Sequence, residues 1–373
     1  MPECDNPLWP CAMTGAAACL AGFDGINVVI HGSSGCYFYP ATLLHAPLHG
    51  TFIIENDVIF GSEQRLLEVL DGLADNGKKT AVIMTCVPAI LGEDIRSILN
   101  DYSVILVDAP GFSGDVENGY KKALSVLAPS VDPEKEGVNI DGVCIFDPFS
   151  GGNVLEVVRL LGSASVSVST VFCFDRLEKV KRSAAYTVGT NRDFSSGIGT
   201  NLGGMLGFEE IRTTFRRVAS VCPDADPTPV EREIEREDER IVRACDKFLR
   251  RFDPPYAVIF SNFSYATFAA RTLKHYLDAD ILFVGSRNKP GNSPFPVEHV
   301  QDFSHMKTLI RHHNPDLVIG SSFERSVDTN RAFVGLTPPL RGMVMLAPHA
   351  IAGITGTLSF VEEVLNACID RKK

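Results

Sequence analysis

The residues with the clearest chemical potential are cysteines, and they are unevenly spread. Cys4, Cys11, Cys19, Cys36 and Cys86 fall in the first quarter of the chain, whereas Cys144, Cys173, Cys222, Cys245 and Cys368 are scattered and read as buried or incidental thiols. In a chain expected to be cytoplasmic, such clustering favours metal ligation over disulfides. Three thiols have distinctive settings: Pro10-Cys11-Ala12-Met13-Thr14-Gly15, His31-Gly32-Ser33-Ser34-Gly35-Cys36 and Thr85-Cys86-Val87-Pro88-Ala89-Ile90. No CxxC pair exists, and separations of 25 and 50 residues fit no zinc finger or ribbon. Thiolates converging from separate loops suit an iron–sulfur cluster better. Spacing alone also fits three small buried thiols. Gly32 and Gly35 would let backbone approach an inorganic core beside Cys36.

Such thiols need a scaffold that gathers distant loops, and the chain carries the pattern of one. Short β-rich runs, each followed by a turn and an amphipathic stretch, recur at 27–30, 80–86, 103–108, 142–147, 166–174, 186–189, 256–261, 280–285, 316–320 and 342–347. This rhythm predicts an α/β protein whose parallel sheets are covered by helices. Cys36 follows the first run and Cys86 ends the second, so both are expected at the carboxyl edge of one sheet, where α/β proteins build sites. Cys11 precedes the first helix and can fold onto that edge. Breaks at 128–137 and 222–229 divide the chain into three Rossmann-like units: 1–138 (completed by 338–373), 139–224 and 253–337. Residues 225–252 read as a linking helix of alternating charge.

Lys and Arg total 35 against 46 Asp and Glu, a net charge of −11, so no nucleic acid partner is expected. No apolar run approaches the roughly 18 residues of a membrane span, so no membrane partner is expected either. Two strings imitate nucleotide sites. Residues 72–79 (GLADNGKK) come within one residue of a phosphate loop, but Lys79 replaces the Mg-binding Ser/Thr and the string leads from a helix into a strand, the reverse of a phosphate cradle. They read as a helix C-cap turn, which leaves ATP chemistry to a partner. Residues 195–207 (SSGIGTNLGGMLG) lack dinucleotide spacing, and their glycines are expected to admit a large flat ligand or a neighbouring chain.

At these residues the chain resembles the nitrogenase component 1 family, which includes dark-operative protochlorophyllide reductases and nickel-sirohydrochlorin diamide reductive cyclases. HGSSGC is similar to the family's HGPxGC, and TCVPAILGEDI to its ECPxxLIGDDI. ENDVIFGSEQRLLEVLDGL at 55–73 is similar to the block between the second and third cysteines, and 316–324 and 353–365 extend the likeness over most of the chain. The resemblance implies that Cys11, Cys36 and Cys86 hold an iron–sulfur cluster, of 4Fe–4S type, at the interface of a dimer. It also implies a separate ATP-hydrolysing iron protein that docks there and feeds in single electrons. Cys4 and Cys19 are candidate fourth ligands. A homodimer would gather six such thiols, as two three-Cys clusters, one shared cluster or a larger fused one.

Two departures from the family's nitrogen-fixing members narrow the expectation. The cofactor cysteine of those members is replaced here by Gly189-Thr190-Asn191-Arg192-Asp193, and the C-terminal cofactor histidine segment has no equivalent, although His349 lies nearby. The resemblance therefore points to the tetrapyrrole-reducing branch, and most closely to the nickel-sirohydrochlorin a,c-diamide reductive cyclase component. An anionic nickel tetrapyrrole needs cationic partners at its rim. Arg192, Arg287 and Arg325 each follow a predicted strand and His349 sits on the last such loop, so these four are the candidate substrate contacts. Each also reads as a surface charge or a domain contact. A scaffold for metal-cofactor assembly, a reductase of another tetrapyrrole or small substrate, and a cluster-free binding module remain as alternatives.

Overall fold

A computed structural model describes residues 7–74 and 77–370, so Cys4 lies outside the described residues. The first sheet contains β1 (Ile26–His31), β2 (His49–Gly50), β3 (Lys79–Met84) and β4 (Val104–Asp108) in the order β2-β1-β3-β4. The second contains β5 (Val138–Asp141), β6 (Val168–Val171), β7 (Tyr186–Gly189) and β8 (Thr200–Gly204) in the order β6-β5-β7-β8. The third contains β9 (Tyr256–Ser261), β10 (Asp280–Ser286), β11 (Glu298–His299), β12 (Leu317–Gly320) and β13 (Ala332–Gly335) in the order β11-β10-β9-β12-β13. All pairings within these sheets are parallel. Continuous runs such as Val28, Val29 and Ile30 are buried because helices cover both faces. In each sheet the winding reverses once, between β1 and β3, β5 and β7, and β9 and β12. Such reversals open a crevice at the carboxyl edge.

Cys11 caps the helix Ala12–Ala21, whose small residues let it lie against the helix Val116–Val126. A Cβ on Gly15 would stand 1.8 Å from the Val116 carbonyl oxygen, and one on Gly119 1.7 Å from that of Ala12. The two helices therefore cross backbone to backbone, which only glycine permits. This crossing bridges Cys11 to Asp115, and the Ala12 N–H donates to the Gly114 oxygen at 2.9 Å. The residues just before Cys11 touch all three units. Leu8 donates its N–H to Gln301 at 2.8 Å and packs into the third sheet's core with Val258 and Phe260. Trp9 meets the Phe146 ring of the second unit edge-on at 5.1 Å and donates its Nε1–H to Glu117 of the first at 3.0 Å.

Several expectations need correction. The run at 142–147 is a loop: β5 ends at Asp141, and Gly142 turns with φ +78 because a Cβ there would strike Asn191. Val143, Cys144 and Phe146 are apolar because they are buried outside the sheet, Cys144 and Phe146 packed into the first unit's core and Val143 into the core of the second and third sheets. The run at 342–347 is also irregular chain. Residues 338–373 do not complete the first unit, because the buried face of the helix Gly353–Asp370 (Ile354, Phe360, Val361, Val364) belongs to the core shared by the second and third sheets. Two of the glycines at 195–207 serve the packing of β8: a Cβ on Gly203 would lie 2.2 Å from Thr214 Oγ1 and one on Gly204 2.7 Å from Glu210, both on the helix Phe208–Val221. The helix Thr228–Leu249 buries Val230, Ile234, Ile241, Cys245 and Phe248 at i, i+4 and i+7 type spacing and exposes most of its charges.

Candidate metal-cluster site

Cys36 and Cys86 flank the crevice of the first sheet. Cys36 is the third residue of the helix Ser34–Leu44, entered from β1, and Cys86 is the first residue of the helix Cys86–Leu91, entered from β3. Cys11 reaches the same edge from its helix cap. Each thiol thus sits at a helix N-terminus, where free N–H groups and the dipole favour negative charge. The loop after β4 completes the arrangement. Gly111 donates its N–H to Cys86 Sγ at 3.0 Å, and the place where a Gly111 Cβ would stand is 3.1 Å from Cys11 Sγ and 3.2 Å from Cys86 Sγ. Cys36 and Cys11 both pack against the core of the first unit. Ser33 Oγ lies 3.7 Å from Cys36 Sγ.

All three thiols are half-buried and free of disulfides. Among the described residues, no group of three or more His, Cys, Asp or Glu side chains is close enough to hold a single metal ion. Three thiols carried by separate loops are a donor set of the kind that suits a polynuclear core. Gly35 has open space where a Cβ would be, and Gly111 supplies an N–H of the kind that bonds to cluster sulfur.

Gly32 serves a different purpose from the one expected. A Cβ there would lie 2.0 Å from Thr85 Oγ1, and Thr85 in turn donates to the His31 oxygen at 2.8 Å. The residue before Cys86 is thereby locked to the strand that leads to Cys36. His31 extends the lock: its Nδ1 is 3.2 Å from Thr51 Oγ1 and its Nε2 3.1 Å from Ser62 Oγ, which donates to Glu93 at 2.5 Å. Burial lowers the His31 pKa, with Glu93 opposing.

The elements that carry the site also expose large apolar side chains: Phe38 on the helix of Cys36, Ile90 on that of Cys86 and Phe112 beside Gly111, with Ile59 and Phe60 on the helix Glu55–Phe60, Phe60 to 85% and Ile90 to 74%. Large exposed apolar side chains of this kind are typical of interaction surfaces. Further along the helix Ser34–Leu44, Thr42 and Leu43 enter the wall of a cleft of about 740 Å³, bounded also by Phe146 and by residues 338–343 and 345–349.

A family model for nitrogenase component 1 type oxidoreductases matches residues 11–369. The chain belongs to the nitrogenase component 1 family. It is 29% identical over 184 residues to the nitrogenase molybdenum-iron protein beta chain of Frankia alni, covering 42% of this chain and 35% of that one. It is 20% identical over 398 residues to the nitrogenase iron-molybdenum cofactor biosynthesis protein NifE of Clostridium pasteurianum, covering 95% of this chain and 86% of the relative. The match thus spans about a third of the beta chain but most of the biosynthesis protein. The solved structure of nitrogenase Cp1 at pH 6.5 superposes with a TM-score of 0.83 at 16% identity, over 98% of this chain and 93% of that one. The fold expectation of three Rossmann-like units holds, and an iron–sulfur cofactor accords with membership of the family.

Within this nitrogenase component 1 fold the four expected rim residues are not brought together. His349 lines the 740 Å³ cleft. Arg192 is paired with Glu210 on the surface. Arg287 is buried, ion-paired with buried Glu324 and donating to the Val300 oxygen at 2.9 Å, so it acts as an interior fastening. Arg325 stacks 5.5 Å from the Phe333 ring and lines a different cavity, with Glu363 and Asp370. Cys19 is not at the site: it is fully buried, 3.6 Å from Cys173 Sγ, and burial holds its thiol pKa well up. The sequence reading overlooked Gly111 and Arg341, which lines the cleft. Extending the strand-end rule from β1 and β3 to β4 would have found Gly111.

The second and third units meet through their crevices in a buried polar network. Tyr265 donates to Asp147 at 2.5 Å and accepts from Asn153 Nδ2 at 2.7 Å, while Asn153 Oδ1 accepts from the Ile351 and Ala352 N–H groups, both at 2.8 Å. Burial raises the Asp147 pKa to about 6. This network anchors the end of the irregular segment that walls the cleft. No described helix is long and apolar enough to cross a membrane.

Proposed function

We propose that the chain is the catalytic component of an ATP-dependent nitrogenase-like reductase that reduces and cyclises nickel-sirohydrochlorin a,c-diamide, on the way to the nickel coenzyme of methyl-coenzyme M reductase. What supports this reading is that Cys11 and Cys86 flank Gly111 at the edge of the first sheet, that Cys36 begins a helix entered from β1 of the same sheet, and that a cleft of about 740 Å³ lies at the far end of that helix. Cys11, Cys36 and Cys86 would hold an iron–sulfur cluster of 4Fe–4S type, and the Gly111 N–H would bond to its thiolate shell. The cluster supplies one-electron transfer. The exposed rim of Phe38, Ile59, Phe60, Ile90 and Phe112 suits a homodimer contact around the thiols and the docking of an ATP-hydrolysing iron protein. The residues before β3 lead from the helix Glu63–Leu73 into a strand, an order unsuited to phosphate binding, which supports assigning ATP to a partner.

A second reading, a scaffold for metal-cofactor assembly, draws on the likeness to the biosynthesis protein NifE over 95% of the chain. The deciding experiment has two stages. Iron, labile sulfide and EPR of dithionite-reduced, anaerobically purified protein are compared for wild type and for Cys11→Ala, Cys36→Ala and Cys86→Ala. Loss of the signal in each variant supports the relay, and iron-free wild type after reconstitution removes it. Turnover of nickel-sirohydrochlorin a,c-diamide with an iron protein, ATP and dithionite then separates reductase from scaffold, because a scaffold keeps its iron but yields no product.

A further inference from the structure

The chain carries 46 acidic residues, yet among the described residues no Asp or Glu lines the cleft of about 740 Å³. Its polar wall is Arg341, His45, His349 and Thr42, and the rest is largely apolar, with Phe146, Met343 and Met345 among it. Methionines adapt to flat polarisable surfaces, and a cavity of this size is that of a small-molecule site. Arg341 is the distinctive member. Its guanidinium stands 5.9 Å from the centre of the Phe323 ring, and its backbone is clamped by Ser322, whose Oγ accepts from the Arg341 N–H at 2.5 Å and donates to its carbonyl at 3.3 Å. Arg192 and Arg287 have carboxylate partners, whereas Arg341 forms no ion pair with a described carboxylate. An ordered guanidinium without an acid partner, on an acid-free wall, is arranged for an anionic ligand.

We propose that this cleft binds a large, flat, apolar ligand through its peripheral carboxylates, with Arg341 as the residue that selects for them. The inference rests on the reading above only in taking the cleft as the substrate site, and it replaces Arg192, Arg287 and Arg325 as the recognition residues. A phosphate ligand is disfavoured at the adjacent helix Ser150–Ser163, because Gly152 in its first turn already meets the His349 carbonyl: a Cβ there would stand 2.1 Å from that oxygen. Along the helix Ser34–Leu44, six residues separate Cys36 from Thr42, so the bound ring would lie on the order of 9 Å from the thiols.

The test uses the full chain and two porphyrins with the same ring, coproporphyrin and its tetramethyl ester. Trp9, the sole tryptophan, touches Phe146 of the cleft wall, so its fluorescence reports occupancy. Wild type is expected to bind the acid at least tenfold tighter than the ester. Arg341→Gln should weaken the acid about tenfold and leave the ester within twofold, Arg341→Lys should recover part of the loss, and Arg182→Gln, at a distant surface pair with Asp132, should match wild type. Equal affinity for acid and ester in wild type, no binding of either, or an unchanged acid affinity in Arg341→Gln overturns the proposal. Iron and EPR are read on the same samples. Iron-free protein that still discriminates acid from ester keeps this proposal and loses the electron relay, whereas iron-loaded protein that does not discriminate loses this proposal alone.

Discussion

The backbone N–H of Gly111 points at the sulfur of Cys86, 3.0 Å away, from a loop that contributes no ligating side chain of its own. Because its missing Cβ would also press on Cys11 Sγ at 3.1 Å, Gly111 holds open the space between two of the three thiols. Gly111→Ala should fold with a Tm within a few degrees of wild type, since few other contacts change, but retain clearly less iron per chain. Metal analysis beside thermal melts of apo-protein checks this, and full iron loading in the variant would contradict it.

The contact between Gly32 and Thr85 is tighter still. Gly32→Ala forces Thr85 away from the His31 carbonyl that it bonds, and overpacking of this kind costs about 1–3 kcal/mol. Adding Thr85→Ala removes the Oγ1 and Cγ2 atoms that clash, so the double variant should be less destabilised than the sum of the singles. Urea denaturation of the four proteins measures the coupling, and strict additivity would mean that the two residues do not press on each other.

Arg287 and Arg192 predict opposite outcomes from the same chemical change. Breaking the buried pair with Glu324 by Arg287→Met strands a charge and should cost about 3–5 kcal/mol. Arg192→Gln loosens a surface pair with Glu210 and should cost less than about 1 kcal/mol. Denaturation midpoints decide, and comparable losses for both would show that the Glu324 carboxylate finds another partner.

Asp147 carries a pH signature. Burial raises its folded pKa from 3.8 to about 6, so the protonated form is favoured by folding. Its contribution is complete below the unfolded value and is lost as the pH rises through about 6, a total on the order of 3 kcal/mol. The difference in Tm between wild type and Asp147→Asn should therefore move against wild type from pH 4 to pH 7. A difference that stays level across that range would show the carboxyl to be ionised in the folded state throughout.

The strands that carry the site were legible because Val28 to Ile30 and Ala81 to Ile83 are continuous apolar runs bounded by turns, and a thiol after each run falls on the same edge by geometry alone. What escaped notice depends on partners far away in the chain. Gly111 bears no ligating group, so nothing in its residue type marks it. Arg287 follows a strand like any rim cation, but its acid lies 37 residues later. Met343, Val344, Met345 and Leu346 resemble a strand by composition, but Met343, Met345 and Leu346 wall a cavity, and Val344 and Leu346 are exposed. β8 escaped because Thr200–Gly204 is written in glycine and polar residues, a composition that ordinarily argues against a strand.

The seat of Leu8 has a consequence for the order of events when the chain is made. Its core neighbours Val258, Phe260, Val300 and Val318 are all synthesised in the last third of the protein, and units fold from the N-terminus as they emerge. The segment that delivers Cys11 therefore waits, unanchored at one end, until the third unit exists. A ribosome stalled before β9 would carry a folded first sheet with Cys11 held at Asp115 and Gly114, while Leu8, three residues before it, still lacks its core seat.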